Sequence, residues 1–183
     1  MQRLLLLVSL FLVSTVGAAA SPIAGQWRFV PERSTDLSPW RAYDLTITVE
    51  GEVVTLQRQL AAGRRVHEDT LRIDVSQAIN VVPSAYWPDN RHLGAYMGGD
   101  KTMKIRAEWL DQRRLLRLST DLVLDTQQGP RDLNILSDYK VSANGAQLTL
   151  TLLRSTRNRP VVYVFRRLTA EEAAKPAARG KSE

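Results

Sequence analysis

The 183-residue sequence has no cysteine and two histidines, His67 and His92. Without cysteine there is no disulfide framework, no thiolate metal site and no lipid-modified cysteine. A metal held by the two histidines would need carboxylates to complete it, and no short His spacing suggests one. The sequence also lacks a Gly-rich phosphate loop behind a strand, a Gly-x-Ser-x-Gly elbow and a recognisable acid/base pair of carboxylates. No catalytic residue, metal or cofactor is therefore expected, and the chain reads as a non-enzyme. Apolar runs of about 20 residues, the length of a membrane span, are missing too.

The longest apolar run, Leu4 to Val16, follows Arg3 and precedes Gly17-Ala18-Ala19-Ala20. This charged, apolar, small order is that of a secretory signal peptide. Residues 1–20 are expected to be a leader cleaved after Ala20, followed by one domain over 21–168. The stretch 169–183 has helix formers for a turn or two and then Pro176 and Gly180, and reads as a disordered tail. The protein is expected in the periplasm or secreted, with no transmembrane segment once the leader is gone.

Basic residues outnumber acidic ones, 25 to 19, for a formal net charge of +6, but they are mostly arginines scattered through the chain. Scattered charge suits a solvated outer face. Nucleic acid is not expected as a partner. Export makes an anionic envelope component, such as phospholipid, lipopolysaccharide or cell-wall polymer, the more available anion.

What the chain does have is alternation. Tyr43, Leu45, Ile47 and Val49 alternate with Asp44, Thr46, Thr48 and Glu50; Met103, Ile105, Ala107 and Trp109 alternate with Thr102, Lys104, Arg106 and Glu108. Leu116, Leu118, Leu122 and Leu124 share a face with Thr120, and Leu133, Ile135, Tyr139 and Val141 with Ser137. Period two with turn residues between the runs is the all-β pattern, each strand having one dry face. Register is testable, because residues paired across a tight hairpin have a constant index sum. A turn on Asn144-Gly145 pairs Val141 with Leu148, one on Gly51-Glu52 pairs Val49 with Val54, and one on Gln112-Arg113 pairs Trp109 with Leu116. Gln128-Gly129 as a turn sets Leu124 against Leu133. All four match dry faces, predicting an antiparallel up-and-down meander. Its economical closure is a barrel of about eight to ten strands, which removes exposed edges. A β-sandwich of the same strands is the alternative.

Gly25-x-Trp27 on the first strand, the Pro31-Glu32-Arg33-Ser34 turn, the hairpin meander and Arg166-Arg167 at the end of the last strand resemble the lipocalin or calycin class. The likeness is to its small secreted bacterial lipocalin-like members, and it covers nearly the whole chain behind the leader. It implies that Trp27 plugs one end of the barrel and that Arg166 or Arg167 lies over the indole. Ser137-Asp138-Tyr139 also resembles the Thr-Asp-Tyr motif of that class. These motifs concern barrel closure and not the ligand.

Polar residues on the dry parity carry the functional signal. A turn on Ala62-Gly63 pairs Arg58 with His67 and Leu56 with Asp69, leaving Arg58 and Asp69 diagonal and all three facing inward; Val66 faces out. Such a cluster is self-paired, is turned into water by a bulge, or reaches a polar group of a ligand. Between Pro83 and Asp100 the alternation stops, and a segment containing Tyr86, Trp87, His92 and Tyr96 reads as a loop that caps the core or forms a lid. The expected function is a barrel for a small apolar or amphipathic ligand, its tail among Ile47, Leu56, Ile105, Leu118 and Leu150 and its head near Arg58 and His67. The alternative is an envelope interaction module with a filled core and a basic surface. The abundance of inward Leu, Ile and Val tempers the ligand reading.

Overall fold

Alternation of apolar and polar side chains becomes a single antiparallel sheet in the computed structural model, which describes residues 21–37, 39–84 and 95–174. Its strands are β1 (Gly25–Phe29), β2 (Ala42–Glu50), β3 (Val53–Ala62), β4 (Arg65–Asp74), β5 (Asn80–Pro83), β6 (Tyr96–Met97), β7 (Thr102–Leu110), β8 (Leu115–Thr126), β9 (Gly129–Val141), β10 (Gln147–Arg154) and β11 (Val161–Arg167). The spatial order is β4-β3-β2-β1-β11-β10-β9-β8-β7-β5, with the two-residue β6 on β8. Sequence neighbours are spatial neighbours, as the hairpin registers predict, and the first and last strands pair to roll the meander into a nearly closed barrel.

Three of the expected registers are observed: Val141 opposite Leu148, Val49 opposite Val54, and Trp109 opposite Leu116. Two are corrected. Leu133 faces Leu122 rather than Leu124, because the turn falls on Gln127-Gln128 and Gly129 opens the next strand opposite Thr126. Arg58 faces Asp69 directly and Leu60 faces His67, because the β3–β4 turn falls on Gly63-Arg64. Both shifts are by two residues. A shift of two preserves which side of the sheet each side chain takes, so dry-face matching does not detect it.

The inward parity forms one continuous core that includes Trp27, Leu45, Ile47, Val54, Leu56, Ile73, Ile105, Leu116, Val141, Leu148 and Phe165, all essentially inaccessible. The outward parity is polar, and its arginines meet acids on neighbouring strands. Arg28 makes a bidentate pair with Asp44, Arg117 another with Asp138, and Arg106 reaches Asp121. The scattered basic residues of the sequence thus serve in part as cross-strand partners.

The Trp27 end of the barrel is sealed. Trp27 is fully buried and its Nε1 donates to the carbonyl of Ile23 at 3.1 Å. Arg167 is the arginine above it, 4.0 Å from the ring centroid, whereas Arg166 is exposed and pairs with Glu172. Parity decides between the two: Phe165 points inward, so Arg167 does as well. The Arg167 guanidinium donates to the carbonyls of Ala24, Pro22 and Gly145, tying the chain before β1 to the β9–β10 turn. Gly25 makes this possible. Its φ is +143°, and a Cβ there would collide with Arg167 Nη1.

The strand edges β4 and β5 meet differently. No ladder joins them; the side chain of Asn80 stands in for one. Its Oδ1 accepts from the Asp74 amide at 2.8 Å and its Nδ2 donates to the Asp74 carbonyl at 3.0 Å, satisfying the end of the β4 edge with one residue's amide. The region expected as a tail from 169 onward begins with a one-turn helix, α1 (Ala170–Ala173), capped reciprocally by Thr169 and Glu172.

Candidate functional site

Inside the barrel a cavity of about 60 Å³ lies between Tyr43, Arg58 and Leu71 of β2, β3 and β4 and the facing wall of β7 to β11. Its apolar lining comes from Leu71, Met103, Ile105, Leu118, Leu122, Ile135, Leu150 and Leu152. Its polar lining is one charged side chain, Arg58, together with the hydroxyl-bearing Tyr43, Thr120, Ser137, Tyr139, Tyr163 and Ser84. The hydroxyl residues of β8 and β9 are there because Thr120 and Ser137 keep the inward parity of the leucines around them, and both are buried. Tyr43 and Tyr163 pack edge-on, ring centroids 6.4 Å apart, each also against Phe165 or Phe29. Rings fixed this way hold their hydroxyls in place around the void.

Arg58, His67 and Asp69 do come together. Arg58 Nε and Nη2 donate to the two Asp69 carboxylate oxygens in a bidentate pair, and His67 Nε2 lies 3.4 Å from Asp69 Oδ2. Their side chains are 17, 22 and 24% exposed for Arg58, His67 and Asp69 respectively, so the cluster is sheltered without being sealed off. The residual exposure follows from topology, since β4 carries a ladder on one side only. Of the three, Arg58 lines the cavity, while His67 stacks at 6.1 Å against the buried Trp40. A guanidinium gripped on two donors by a carboxylate is a neutral pair and not a bare cation.

The other expected site residues divide. Ile105, Leu118 and Leu150 line the cavity, but Ile47 and Leu56 are buried in the core and form no part of its lining. Tyr96 is 70% exposed on β6 while Met97 beside it is buried, so its ring faces solvent. Tyr86, Trp87 and His92 lie outside the described residues. Ser137-Asp138-Tyr139 is part of β9, with Ser137 and Tyr139 inward and Asp138 outward against Arg117. Among the described residues no cluster of His, Cys, Asp or Glu is arranged to hold a metal ion, and no helix is long and apolar enough to cross a membrane.

Two features were not singled out from the sequence. The ring of hydroxyls at the cavity was visible as polar letters on dry parity, at Thr120 and Ser137, yet its assembly from distant strands needs the barrel. Arg154, which continues the inward series Leu148, Leu150, Leu152, is 3% exposed at the end of β10 opposite Ile135. The same parity that marked Arg58 marks it.

No family model matches the chain, and no curated protein matches it by sequence. Solved structures do share the fold. A protein described as the REP1-NXSQ fatty acid transporter aligns with a TM-score of 0.52 at 8% identity over 82% of this chain and 98% of its own. Secretory abundant heat soluble protein 4 from Ramazzottius varieornatus aligns with a TM-score of 0.50 at 9% identity, over 81% of this chain and 96% of its own.

Proposed function

We propose that this protein is a non-catalytic, secreted or periplasmic barrel that binds a small apolar or amphipathic molecule in its interior, with the polar end of the ligand at Arg58. The observation that carries the reading is the composition of the cavity wall: mostly apolar, with a few polar groups converging from separate strands. Small-molecule sites have this character, apolar surface giving affinity and a few polar groups giving orientation. The fold likeness to a structure described as a fatty acid transporter supports it.

Size sharpens the reading. A void of about 60 Å³ is well short of the roughly 300–1,000 Å³ of typical drug-sized sites. A long alkyl chain therefore requires the barrel to widen, and the β4–β5 edge, bridged by one asparagine, is where the wall is least tied. Leu71 on β4 and Met103 on β7 line both the cavity and the walls beside that edge. The small void also favours a second reading, an interaction module with a filled core.

Native mass spectrometry of the protein purified from its own source separates the two. A co-purifying small mass, and a change in tryptophan emission on adding fatty acids, isoprenoids or phospholipids, is expected of a binding barrel. Protein without such a mass, and without a response to any of these, leaves the filled-core module.

A further inference from the structure

We propose that Asp69 is a specificity-determining residue: by neutralising Arg58 at the cavity wall, it selects ligands with an uncharged polar end, a hydroxyl, ester or amide, over free carboxylates. This rests on the binding reading above and names the ligand class within it. Arg58 is the one charged side chain among the described residues lining the cavity, and two of its donors already meet both oxygens of Asp69. A ligand carboxylate entering there meets a pair whose charges cancel. It would bring a second negative charge to a sheltered cation that already has one, and uncompensated charge out of water is what such sites reject. The rest of the polar lining is hydroxyl groups, which both donate and accept and so suit a neutral head.

Asp69 itself does not line the cavity, so its effect on a ligand passes through Arg58. Position and charge of the guanidinium are both set from β4, directly opposite on the ladder. Replacing the carboxylate by an amide of the same shape takes away one of the two acceptors and the negative charge, leaving the positive charge of Arg58 uncancelled by Asp69 at the cavity wall. The head-group preference should then move toward acids.

Calorimetric titration of the protein with 1-decanol and with decanoate, at a pH where the acid is ionised, tests this. The unaltered protein is expected to bind the alcohol more tightly. In Asp69→Asn the alcohol-to-acid affinity ratio is expected to fall by about tenfold or more, and in Asp69→Glu to stay near the original value. An unchanged ratio in Asp69→Asn overturns the assignment. So does an unaltered protein that binds decanoate as tightly as decanol, an outcome that decides the matter even if Asp69→Asn does not fold. If neither amphiphile binds, the barrel-binding reading fails and this inference falls with it.

Discussion

The chain comes together at two junctions built on different principles. At β1–β11 the joint is a backbone ladder with a buried indole, a stacked arginine and three carbonyls accepting from that arginine. At β4–β5 it is the side-chain amide of Asn80, and beside it stand a void and a sheltered ion pair. Residues of the first junction are fully committed to one another. At the second, a single side-chain amide bridges two strands that share no ladder.

Breaking the first junction should cost most. Trp27→Ala is expected to destabilise the protein by about 3–5 kcal/mol, as removal of a large buried aromatic does, read by denaturant melts. An unchanged midpoint would mean that Trp27 is no plug. Gly25→Ala attacks the same junction from the backbone, and the strained φ together with displacement of Arg167 should cost about 1–3 kcal/mol.

On the other side, Asp69→Ala removes the carboxylate that holds Arg58. Because the pair is partly exposed, the loss should be about 1–2 kcal/mol, below that of a fully buried pair. The more exposed Asp121, paired with Arg106, serves as the control, and its alanine variant should lose under about 1 kcal/mol. Equal losses would place the Arg58 pair in solvent. Asn80→Ala should cost only about 1 kcal/mol, since water can take over at an edge, yet it should speed amide exchange at Asp74 selectively.

The smallest effect concerns α1. The Arg166 guanidinium and the Thr169 amide hold the Glu172 carboxyl at about 2, below its ordinary 4.5. A depressed acid contributes stability above its unfolded value, and that contribution is lost as pH falls from about 4.5 through about 2. Carboxyl chemical shifts should place the midpoint near the lower figure. A midpoint near 4.5 would remove the Arg166 and Thr169 contacts from solution.

Most of the architecture was readable because burial on one face imposes period two, and period two survives any local error. That is why the sequence pairs Val141 with Leu148 and puts Arg58, His67 and Asp69 on the inward parity. The same property hid the two register slips, since matching faces fixes an index sum only to the nearest even step. In both slips the glycine was placed second in the turn, whereas Gly63 is first in its turn and Gly129 begins a strand. The seam between β4 and β5 had no local signature: Asn80 acts on a backbone reached only when the sheet curls. The choice of Arg167 over Arg166 was available from parity with Phe165. The cavity was not, because a void is set by how side chains from facing walls fall short of one another.

One consequence of the β1–β11 ladder concerns time. Trp27 pairs with Leu45 on one side and with Arg167 on the other, so the first strand of the chain waits on a partner from the last. During synthesis the first four strands can form a ribbon early, but β1 keeps one edge bare until β11 has emerged. Loop closure over that span is slow, because its entropy is lost before the contact forms. An unfinished chain therefore presents a pairing-competent edge, and the stage most exposed to aggregation is the interval before the last strand arrives.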